Sequence, residues 1–141
     1  MWKNIFMWIF LLIHTVTDLR CRKVNVAICW IFAIAGLILF AFSNERDWIS
    51  LVGGILTGSY LLLFSLITKE SIGLGDGCVV TALGIWLGGG KTLLVLMGAF
   101  ILTALFGMVK VCMKKATGKS ELAFVPFLTL SYSAFYIGGF L

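Results

Sequence analysis

The sequence predicts an all-α membrane protein, a bundle of about six transmembrane helices with the N- and C-termini outside. Three observations predict it. The 141 residues are 61% hydrophobic and only 12% charged, and a soluble domain of this size needs far more charge to cover its surface. Apolar runs of about 17 to 22 residues recur along the chain, the length a helix needs to cross a bilayer. The basic residues are spread unevenly over the connections between those runs.

The runs place helices at 2–17, 26–42, 48–68, 79–89, 92–113 and 121–141, within one domain that occupies residues 1–141 and leaves no room for a separate soluble unit. The first run carries an early Lys3 but no small-residue cleavage pattern. A polar stretch with Asp18 follows it, so it reads as a helix and not as a signal peptide. The second is unbroken. The third opens on Trp48 and carries Gly54 and Gly58; the fourth carries Gly84 and Gly88. Small residues four apart let two helix backbones approach closely. The fourth run is short. It reaches a spanning length only from about Ile72, which brings Gly73–Gly77 into the embedded part, where a glycine-rich break is tolerated only inside protein or water. In the sixth, Glu121 sits at the helix N-terminus, which suits an acid, and Pro126 is expected to kink the helix or mark where it opens. Neither an internal repeat nor a linker is visible.

Orientation follows from charge. The connections after the first, third and fifth runs hold Arg20, Arg22, Lys23, Lys69, Lys110, Lys114, Lys115 and Lys119; the opposite side holds Lys3, Arg46 and Lys91. The more basic side is expected to be cytosolic, in a cell (plasma) membrane. The net charge of +5 therefore reads as a topology signal and as contact with anionic lipid, and no nucleic-acid partner is expected. Trp2, Trp48 and Tyr136 suit interfacial positions. Cys21, Cys29, Cys78 and Cys112 form no C-x-x-C pair and lack a histidine at metal-ligand spacing, so they read as free thiols, with no metal or other cofactor expected.

Six acids remain: Asp18, Glu45, Asp47, Glu70, Asp76 and Glu121. Glu45 and Asp47 flank Arg46 in a short external turn, and Glu70 beside Lys69 reads as a solvated pair. Asp18 ends an apolar helix, and Asp76 sits in Gly73-Leu74-Gly75-Asp76-Gly77. Ionisable groups at membrane depth cost at least a few kcal/mol and mark functional sites. Each also has a structural reading, Asp18 as a helix-end charge paired with Arg20 or Arg22, Asp76 as a turn residue. A plain turn does not need three glycines around one acid, however. Gly73, Gly75 and Gly77 let the backbone bend sharply and let an extended substrate strand come close. Two carboxylates on one face cannot both ionise easily; the charged one takes a proton from water while the neutral one polarises a peptide carbonyl. No H-E-x-x-H or G-x-S-x-G motif competes. The single histidine, His14, lies one turn before Asp18 on the same face and either tunes the pair or is a satisfied structural group.

Three segments in order resemble the type IV prepilin peptidases in their short form, without a methyltransferase domain. They are Asp18-Leu19-Arg20-Cys21-Arg22-Lys23-Val24, the Gly73-Leu74-Gly75-Asp76 of a G-x-G-D motif with the following Thr81–Gly88, and Ala123-Phe124-Val125-Pro126-Phe127-Leu128. The resemblance implies that Asp18 and Asp76 are the catalytic pair of an aspartic-type endopeptidase. It implies prepilin-like substrates cut between a short basic leader and an apolar helix on the cytosolic side, in type IV pilus assembly or protein secretion. Gly73, Gly75, Gly77, His14 and Glu121 are then candidates for binding substrate or supporting the dyad. Presenilin-type peptidases share the G-x-G-D idea but are longer. Here Val24-Asn25-Val26 replaces the family's usual Ile-Pro-Asn, and Cys78 stands where a lysine is common. The soluble region with zinc cysteines found in long forms is absent, so no N-methylation is expected. Two rival readings are a small proton- or ion-coupled transporter or channel subunit using the same aspartates, and an inactive peptidase relative acting in assembly.

Overall fold

The computed structural model describes residues 2–21, 24–42, 47–67, 74–113 and 123–141, without the side chains of Trp2 and Cys21. Among them all regular structure is helical: α1 (Trp2–Cys21), α2 (Val26–Phe42), α3 (Trp48–Ile67), α4 (Leu74–Leu87), α5 (Gly89–Cys112) and α6 (Val125–Ile137). Each expected helix is present, but the fourth runs from Leu74 to Leu87 and not over 79–89, because Gly75 and Gly77 are helical and the chain turns at Gly88. Two of them, α3 and α5, are long and apolar enough to cross a membrane; α2, α4 and α6 are shorter apolar helices.

Helix α4 is the hub, burying Asp76, Gly77, Val79, Val80, Ala82, Leu83 and Gly84. Its contact with α3 is backbone on backbone. A Cβ on Gly54 would overlap the Gly84 carbonyl, and a Cβ on Gly84 would overlap that of Gly54. The same face continues with Gly58 on Thr81 and Gly77 on Leu62, so α3 and α4 run antiparallel. Gly54, Gly58 and Gly84 thus pack as their spacing predicts. Gly88 also lies close to α3, where a Cβ would overlap the Ser50 side chain, and it has a second task. Its φ of 81° lies where L side chains are strained, and it turns the chain from α4 straight into α5.

Aromatic rings set the register on the other side. Phe10 of α1 stacks on Phe32 of α2 at 4.0 Å, and Phe32 stacks on Trp86 of α4 at 4.5 Å. The Trp86 indole N–H donates to the Phe32 carbonyl at 2.9 Å. That reach depends on Gly36, where a Cβ would stand 2.6 Å from Trp86 Nε1. Val24 against Gly75 and Gly36 against Ile85 and Trp86 make α2 parallel to α4. The pairs Phe10–Phe32 and His14–Cys29 make α1 antiparallel to α2. The C-terminal end of α1 therefore lies with the N-terminal end of α4.

Helix α6 corrects the expectation at Pro126. The proline neither kinks a helix nor opens one; it occupies the first turn of α6, where a missing N–H costs nothing and its fixed φ suits the helix. The helix is also shorter than 121–141. It ends where Gly139, at φ 74°, lets its own N–H reach the Tyr136 carbonyl and the Phe140 N–H reach that of Phe135, with the two phenyl rings in contact. Ser131 ties α6 to α5 by donating to the Val95 carbonyl at 2.7 Å.

Gly84→Val should separate α3 from α4 and destabilise the fold by about 3 kcal/mol or more, since helix backbone would have to give way. Gly90→Ala, which meets nothing within 4 Å, should be neutral or stabilising by up to about 1 kcal/mol. Thermal unfolding in detergent compares the two.

Candidate active site

Asp18 lies in the last turn of α1 and is 7% exposed; Asp76 is the third residue of α4 and is 9% exposed. The packing of α1, α2 and α4 puts both buried carboxylates at the same end of the bundle. Their settings differ. An acid in the first turn of a helix sits at the favourable end of the helix dipole, which is the position of Asp76. Asp18 sits at the unfavourable end of its own helix, and another helix compensates. Four N–H groups are orphaned at a helix start. In α6, Pro126 has none, and Phe127 and Leu128 donate to the Phe124 carbonyl. The Val125 N–H donates to Asp18 Oδ2 at 3.2 Å. Asp18 therefore caps α6 from α1.

The turn before this contact is also bonded across the two helices. Thr129 Oγ1 donates to the Val125 carbonyl at 3.0 Å, so its remaining capacity is to accept. Thr15 Oγ1 lies 2.7 Å away and is the donor.

His14 is fully buried one turn inside Asp18. A carbonyl only accepts, so His14 Nδ1 carries the proton that goes to the Phe10 carbonyl at 2.9 Å. Nε2 is then an acceptor, and the Cys29 thiol donates to it at 3.3 Å. Both ring nitrogens are partnered within the helix layer of α1 and α2. Gly75 and Gly77 are helical, and Val24 and Leu62 fill the space beside them. The sharp bend expected there is a helical turn packed on α2 and α3. Gly73 and Glu121 lie outside the described residues. Cys29, Cys78 and Cys112 are free thiols.

A model of the type IV leader peptidase family matches residues 5–108. The chain belongs to that family. A prepilin leader peptidase/N-methyltransferase from Stutzerimonas stutzeri is 34% identical over 95 residues, covering 66% of this chain and 32% of the relative. The chain thus spans about a third of that relative's length. No solved structure matches. The leader peptidase match contains both aspartates but stops before α6, the helix that holds Asp18.

Sequence reasoning alone gives Thr15 and Thr129 no role, and reads Cys29 only as a free thiol and Val125 only as part of a family-like segment. Two signals were present: Thr15 is three residues before Asp18 on one helix face, and Pro126 is the residue type favoured at a helix start.

Cys29→Ala should leave His14 Nε2 buried without a donor and cost about 1–3 kcal/mol. Cys29→Ser keeps a donor and should cost less. Chemical unfolding of the two variants in the same detergent ranks them.

Proposed function

We propose that this chain is a membrane-embedded aspartyl endopeptidase that removes the basic leader from type IV prepilin-like proteins at the cytosolic face. One observation carries the reading: in a member of the leader peptidase family, two aspartates from distant positions lie buried at one end of an all-helical bundle. Of the pair, one carboxyl stays protonated and the other charged. The charged group takes a proton from water, the neutral group donates to the scissile carbonyl, and water attacks the peptide carbon. The apolar face of Gly75 and Gly77 keeps α4 close to its neighbours, so the Asp76 carboxylate is carried on rigid helix.

The bundle is apolar outside, and its buried polar side chains sit within a mostly apolar core. Ile5, Ile49, Leu56, Ile67 and Met108 are exposed, while His14, Asp18, Ser65, Asp76 and Thr129 are buried. Such a distribution suits hydrocarbon solvent. In the proposed topology both chain ends face outside and the aspartate end faces the cytosol. Arg20 and Lys110 then lie toward the cytosolic surface, and Trp48 and Tyr136 toward the outer one.

Asp18→Asn and Asp76→Asn should each lower cleavage by roughly 10³-fold or more while leaving the protein folded. Co-expression with a prepilin, read by the mobility of its product, checks this; cleavage by either variant at the parent rate sinks the dyad. Reporter fusions test the topology. Alkaline phosphatase inserted at residue 44 should be active, and inserted at residue 118 it should be inactive; the reverse pattern overturns the orientation.

A further inference from the structure

We propose that Thr15 and Thr129 are positioning residues for Asp18, an interhelical hydroxyl clamp that sets the direction of its carboxylate. The proposal rests on the peptidase reading above and adds to it a control element in α6, outside the matched segment.

The two helices are joined by two rungs one turn apart. In the inner rung, Thr15 of α1 donates to Thr129 of α6 at 2.7 Å. In the outer rung, the Val125 N–H of α6 donates to Asp18 of α1 at 3.2 Å. Thr15 and Asp18 are three apart on α1, and Val125 and Thr129 four apart on α6, so both rungs lie on one shared face. Thr129 also donates to the Val125 carbonyl, which links the rungs through the very residue whose N–H meets Asp18. Thr129 is buried, as is Val125.

The clamp is poorly explained as glue. Hydrogen bonds between membrane helices add little to stability. If Thr129 became valine, Thr15 would still find a helix carbonyl four residues back, as intrahelical hydroxyls do. The Val125 carbonyl would keep its helical N–H. No buried group is stranded, so the fold does not require the pair. What the pair does hold is the rotation and height of the α6 start relative to α1. That setting decides where the Val125 N–H points, hence the plane of the Asp18 carboxylate and the direction of Oδ1. A reacting group displaced by a fraction of an ångström loses rate without losing substrate affinity.

The test uses the full chain in lipid vesicles and a synthetic peptide with a basic leader, a glycine and an apolar run. Thr129→Val and Thr15→Val should each lower kcat roughly 10-fold with KM unchanged. Thr129→Ser should restore kcat to within about twofold, and the double valine variant should be no slower than the slower single one. A kcat within twofold of the parent in Thr129→Val, a change confined to KM, or no rescue by serine overturns the proposal. A second readout is independent of cleavage. In labelled protein the Val125 amide resonance, assigned by its shift in Asp18→Asn, should also shift in Thr129→Val. An unmoved amide overturns the clamp even if the parent proves inactive, whereas an inactive parent with a moved amide overturns only the peptidase reading.

Discussion

The polar end of this molecule hangs on the approach of two helix backbones at Gly54 and Gly84. With no Cβ on either residue, α3 and α4 touch through their main chains, and α4 becomes the helix around which α2, α3 and α5 are arranged. Every side chain larger than hydrogen at that crossing would push α4 outward and carry Asp76 with it. On its opposite side, α4 is gauged by flat stacking of Trp86 on Phe32 and of Phe32 on Phe10. Rings stacked in a row resist sliding, and the indole bond to the Phe32 carbonyl adds direction. Close glycine packing sets distance; the aromatic stack sets height.

The two aspartates reach one end of the bundle by different means. Asp76 opens a helix, where a carboxylate is at home. Asp18 closes one, where the carbonyl ends of the last turn oppose it. A charge so placed at low dielectric costs several kcal/mol unless something answers it. The start of α6 supplies the Val125 N–H, and Pro126 leaves the helix start with one donor fewer to satisfy. The same economy appears at His14, where a carbonyl and a thiol partner the two ring nitrogens. His14, Asp18 and Thr129 are thus satisfied pairwise in the interior, whereas the buried Tyr132 hydroxyl has no partner among the described residues, and the outer surface is left largely to apolar side chains.

All six helices were legible in the sequence, because apolar run length and glycine punctuation are local properties. So were the small-residue faces of α3 and α4 and the two aspartates, one ending an apolar helix and the other set among glycines. The expectation at Pro126 fails because the polar-to-apolar boundary near 121 resembles a helix start, whereas the proline itself marks it. Glycine density at Gly75 and Gly77 signals freedom; whether that freedom becomes a bend or close packing depends on Val24 and Leu62, which lie far away in the chain.

By itself the sequence determined the helices, their apolar character and the pair of acids that needed a reason. Only the tertiary structure decided what those acids touch. Asp18 meets Val125 across 107 residues, and Thr15 meets Thr129 across 114. Periodicity reports which face of a helix is buried, but not which helix covers it. That choice is made by shape complementarity among α1, α2, α4 and α6 together, and it has no signature within any one of them.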